Sequence, residues 1–137
     1  MLLKSATDPS DGSSCVLTYD EANQWLRATW KGFVDKGEAT KGADSYLASM
    51  HAVSCSYLLN DNSQLVGPWF DSIEWLQRVW APQASRLGLR YVAHVTHRMR
   101  SELAVLDKHH PFQDQFEVQL FESVTAAEDW LRTCQKR

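Results

Sequence analysis

The chain has 137 residues, 44% of them hydrophobic and 23% charged, as expected for one soluble globular domain with a single core. Its net charge of −3 comes from lysines and arginines scattered among acids. That leaves no basic footprint for nucleic acid or an anionic membrane surface. No signal-peptide run and no stretch of membrane-spanning length is present, so a cytoplasmic protein without membrane insertion is expected.

Residues 1–14 are polar and carry Asp-Pro and Asp-Gly turn signals. They predict a flexible N-terminal tail ahead of one domain over 15–137. CVLTYD and WLRATWKG read as two short strands joined by EANQ, a hairpin. In the second, Leu26, Ala28 and Trp30 point one way and Trp25, Arg27, Thr29 and Lys31 the other. That mixed outer face suggests an edge strand or a partly covered one. From Glu38 to Val53 the apolar residues Ala39, Ala43, Tyr46, Leu47, Met50 and Val53 share one helical stripe.

CSYLLN then reads as a central strand covered on both faces, with Cys55 inside it. Asp71 with Glu74 marks the start of a second helix, which Pro82 should kink near Ala81 rather than end. LRYVAHVT is another central strand, and Met99, Leu103 and Leu106 predict a helix that Pro111 closes. FEVQLF is the last strand. Thr125 with Glu128 forms a capping box for a helix burying Ala127, Trp130, Leu131 and Cys134.

The order is ββαβαβαβα. Strands alternating with helices predict an α/β domain: a mostly parallel, mixed sheet with an N-terminal antiparallel hairpin and helices packed on it.

This pattern over residues 15–134 resembles the STAS fold of anti-sigma-factor antagonists, which shares its architecture with CRAL-TRIO lipid-binding domains. LLNDNSQLVGPWFDSIEWL and APQASRLGLRYVAHV are similar to segments of small, uncharacterised bacterial STAS-like (SpoIIAA-like) proteins. The antagonists carry a phosphorylated serine in an Asp-Ser-Ser-Gly-like turn at a helix N-terminus. Here Ser63 and Ser72 are the positional candidates, without that sequence context.

Asn60, Asp61 and Asn62 have two readings. They make a sound turn, because short amide and acid side chains bond the nearby backbone. They also stand at the carboxyl end of a parallel strand, where open α/β sheets place ligands. His97 follows the neighbouring strand and pairs with Asp61 in a general-base alternative. No H-E-x-x-H, nucleophile elbow or phosphate-binding glycine loop is present, so no metal and no cofactor is expected. Cys15, Cys55 and Cys134 form no C-x-x-C pair and read as buried reduced thiols.

Of six tryptophans, Trp25, Trp69 and Trp75, with Phe70, are candidates for a pocket or self-association face. The leading expectation is a non-enzymatic regulatory or protein-interaction module that binds a protein partner or itself. The second is a small-molecule or lipid-like ligand binder, with Trp69, Trp75 and Asn60–Asn62 lining a pocket at the carboxyl ends of the parallel strands. The third is an enzyme using Asp61 and His97.

Overall fold

The computed structural model describes residues 2–7, 12–66, 73–96 and 115–136. Six strands form one sheet in chain order: β1 (Leu2–Thr7), β2 (Ser14–Asp20), β3 (Trp25–Phe33), β4 (Tyr57–Val66), β5 (Tyr91–Thr96) and β6 (Glu117–Phe121). β1, β2 and β3 pair antiparallel, and β3 through β6 pair parallel. The helices are α1 (Lys36–Ala52), α2 (Ile73–Trp75), α3 (Ala81–Arg86) and α4 (Val124–Gln135). A π-helical turn, Leu76–Trp80, joins α2 to α3.

The β2–β3 turn is fixed by side chains. Asp20 accepts from the Asn23 backbone N–H at 3.1 Å and from Nδ2 at 2.8 Å, and Gln24 takes a left-handed φ of 61°. At the other end of β3, Asp35 caps α1 by accepting from Glu38 N–H at 2.9 Å.

Two cores sandwich the sheet. Leu26, Ala28, Leu58 and Val92 pack with Tyr46, Leu47 and Met50 of α1 and with Leu76, Trp80 and Ala84. The alternate residues Trp25, Leu59, Ala93 and Val95 pack with Ala127 and Leu131 of α4. Neighbouring residues therefore enter opposite cores, which accounts for the unbroken apolar runs of β4 and β5. Pro82 does not end its helix. The chain widens into the π turn, with Ala81 N–H bonding Leu76 O, and α3 follows. Trp80 donates its indole N–H to Ala43 O at 3.0 Å and ties that turn to α1.

Several expectations are corrected. The first residues are not all tail: Leu2–Thr7 form the edge strand β1, registered from Leu2 opposite Thr18 to Thr7 opposite Ser14. An edge strand has a single neighbour, and this one leaves Leu2 exposed, so its alternation is weak. β3 is interior, between β2 and β4. β4 continues to Val66, so Asn60, Asp61 and Asn62 lie inside a strand and make no turn. Cys55 precedes β4. The single proton of its buried thiol is within reach of two carbonyls, Gln24 O at 3.4 Å and Tyr57 O at 3.3 Å. The last helix is capped by Ser123, which accepts from Ala126 N–H at 3.2 Å, two residues before the Thr125 cap that the sequence predicts. Asp71 and the helix expected at Met99–Leu106 fall outside the described residues.

Candidate functional site

Parallel register places Asn60 beside His94 and Asn62 beside Thr96, and sets Ala28 of β3 beside Asn60. Three neighbouring strands thus contribute polar groups to the layer beneath α1. Trp30 donates its indole N–H to Asn60 Oδ1 at 3.0 Å. An indole N–H can only donate, so the Asn60 amide is oriented, with Nδ2 3.2 Å from His94 Nδ1. His94 is 1% exposed, and burial pushes its pKa down to about 4. The ring is therefore neutral at pH 7. With Nδ1 accepting, its proton sits on Nε2, 3.3 Å from the Asn62 amide.

A nitrogen of Asn62 facing that N–H would set donor against donor and leave Oδ1 buried without a partner. Turning the carboxamide over lets its oxygen accept from Nε2–H, and hydrogen-bond chemistry selects that orientation. The result is a directed chain, Trp30 to Asn60 to His94 to Asn62.

Asp61 points to the opposite face. Arg27 Nη2 bonds Asp61 Oδ2 at 2.9 Å, while the Ser63 backbone N–H and hydroxyl donate to Oδ1 at 3.0 and 2.6 Å. Asp61 is 5% exposed. A carboxylate in this position is sustained by that set of charge-assisted bonds. Asn60 and Asn62 therefore belong to one layer and Asp61 to another, and the three do not form a single site.

A cleft of about 610 Å³ opens between α1 and the β1–β2 edge. Buried Cys15, Leu17 and Val34 with half-buried Trp30 line it, while Lys4 and Lys41 stand exposed on its two sides. Ser13 donates its hydroxyl to Glu38 Oε2 at 2.7 Å and ties the start of β2 to the first turn of α1. Burial pushes the Cys15 thiol up to about 12, so it stays protonated and a poor nucleophile. Trp30 is shared: its ring walls the cleft while its N–H begins the buried chain. Among the described residues no group of three or more His, Cys, Asp or Glu is placed to hold a metal.

No family model matches the chain, and no curated protein matches it. Among solved structures, an uncharacterised protein of the DUF3478 family from Shewanella loihica PV-4, with a SpoIIAA-like fold, superposes with a TM-score of 0.58. The two are 18% identical over 92% of this chain and 98% of that one. The fold is SpoIIAA-like.

Within the SpoIIAA-like domain the expected site residues disperse. Asn60 and Asn62 join the buried chain, and Asp61 joins Arg27. Trp25 is sealed in the α4 core, with Arg132 over its ring at 5.5 Å, whereas Trp75 packs half-buried on the α1 core. Opposite faces cannot line one pocket, so the tryptophan pocket is not formed by that pair. Ser63 lies within β4 with its hydroxyl held by Asp61, and no helix starts there. Trp69, Phe70, Ser72 and His97 fall outside the described residues.

Arg27, Trp30 and His94 are the partners that sequence reasoning missed. Their signal was polar residues interrupting adjacent central strands, because buried polar groups must find each other. The cleft was missed because one of its walls is the strand read as a tail. No helix among the described residues is long and apolar enough to cross a membrane.

Proposed function

We propose that this SpoIIAA-like domain is a binding module that holds a small molecule in the cleft between α1 and the β1–β2 edge. The observation that carries the reading is the cleft itself, at about 610 Å³ within the usual size of ligand sites and walled by a tryptophan whose polar end is already fixed. Binding is favoured over catalysis because the described titratable candidates are engaged elsewhere. Asp61 is bonded to Arg27 and Ser63, His94 is neutral and enclosed, and Cys15 is held as the thiol.

The test is a fragment screen read by amide and indole resonances in a ¹H–¹⁵N spectrum. Hits are expected to move the Trp30 indole N–H together with Cys15 and Gly42. A screen whose hits all leave these signals in place overturns the reading.

Recognition of a protein partner, the first expectation from sequence, stands second. It is supported by Phe33 and Val66, adjacent at the carboxyl ends of β3 and β4, at 50% and 61% exposure. A partner that binds Phe33→Ser and Val66→Ser variants as tightly as the wild type would remove it.

A further inference from the structure

We infer that the cleft selects small organic monoanions: a carboxylate or sulfonate carried on a flat apolar body. This rests on the cleft being a ligand site and adds the class of ligand. Lys4 lines it from β1 and Lys41 from α1, so each of the two facing walls carries an exposed lysine. Neither lysine makes an ion pair with a described residue. An unpaired cation on each side of an apolar base is an arrangement that an incoming anion completes.

The base consists of Leu17, Val34 and the Trp30 indole, and it offers area to a flat body without asking for further hydrogen bonds. The acids of the cleft set the charge limit. Glu38 already accepts from Ser13, and Asp44 is exposed one helical turn beyond Lys41. A single negative group between the lysines is matched, whereas a second one meets Glu38 or Asp44. Ser45 of α1, also lining the cleft, is a neutral group available to the remaining anion oxygens.

The test compares 2-naphthoate, 2-naphthamide and 2-naphthylmethylammonium, which share one flat body and differ in charge. Titrations on the full chain follow the Trp30 indole N–H. The naphthoate is expected to bind about tenfold more tightly than the amide, a gap of about 1.4 kcal/mol. That preference should fall to about threefold or less in Lys4→Gln/Lys41→Gln and on raising salt to about 0.5 M. Both lysines are exposed, and an unchanged melting temperature establishes that the variant is folded.

Equal affinity for naphthoate and amide, or tighter binding of the cation, overturns the anion class and leaves the cleft standing as a ligand site. A naphthoate preference that survives the double substitution also overturns it. If no naphthyl probe and no fragment moves Trp30, the ligand-site reading fails and takes this inference with it.

Discussion

Gly42 of α1 lies against the indole of Trp30 on β3 so closely that a Cβ at position 42 would collide with Cη2 and come within 2.9 Å of Cζ3. Glycine in a helix interior ordinarily costs about 1 kcal/mol relative to alanine. Here the sign reverses, because the added methyl drives a ring that is held at its other end by Asn60. Gly42→Ala is expected to destabilise by about 1–3 kcal/mol, the usual range for overpacking. Urea unfolding measures it. In a Trp30→Leu background, which already lacks the bond to Asn60, adding Gly42→Ala should cost little further, and a stabilised Gly42→Ala single variant would refute the contact.

His94 makes stability depend on pH in a defined direction. Its folded pKa is about 4, below the ordinary 6.5, because burial penalises the charged ring. The unfolded chain therefore binds a proton that the folded chain refuses between those values. Stability should be full above pH 6.5, fall as the pH drops through that window, and stop changing from this source below about 4. The full effect is on the order of 3 kcal/mol. Urea midpoints taken from pH 7.5 to 4 should show the decline in the wild type and a flatter profile in His94→Gln. Identical slopes would place the pH dependence in other groups.

Arg27 and Asp61 are unequally placed, with side-chain exposures of 33% and 7%. Removing the acid leaves an arginine that reaches water, whereas removing the arginine leaves a carboxylate in the interior with only the two Ser63 donors. Arg27→Met should therefore destabilise more than Asp61→Asn, by about 2 kcal/mol against about 1 once the solvent access of Arg27 is allowed for. Chemical denaturation of the two variants at pH 7 gives the comparison, and the reverse order would contradict the unequal burial of the pair.

The alternation of β3, with Leu26, Ala28 and Trp30 on one side and Trp25 and Arg27 on the other, was legible because a strand's period of two is set by covalent geometry. The same holds for the α1 stripe and for the double-faced runs around Leu58–Leu59 and Val92–Ala93, which enter two cores. Asn60–Asn62 was misread because its local chemistry favours a turn. What keeps the strand extended are Trp30, His94 and Arg27, distant in sequence and adjacent only through parallel register. The cleft was out of reach for a related reason: one of its walls, β1, is an edge strand whose pairing with β2 leaves little periodicity to read.

The direction of the buried chain rests on one donor, the Trp30 indole N–H. Trp30→Phe keeps an aromatic ring beside Gly42 but leaves Asn60 Oδ1 without the proton it accepts. The cost should be about 1–2 kcal/mol, the penalty for an unsatisfied buried acceptor. The more specific consequence is at His94. In the wild type its ¹⁵N shifts should report a proton on Nε2 and an accepting Nδ1, from pH 7.5 down to about 5. In Trp30→Phe the Asn60 amide is free to turn and offer its oxygen to Nδ1, so the alternative tautomer should become populated. Should the wild-type ring already carry its proton on Nδ1, both asparagine amides would have to be turned over and the chain would run the other way. A Trp30→Phe variant with an unaltered tautomer would show instead that Asn60 is oriented by some other group.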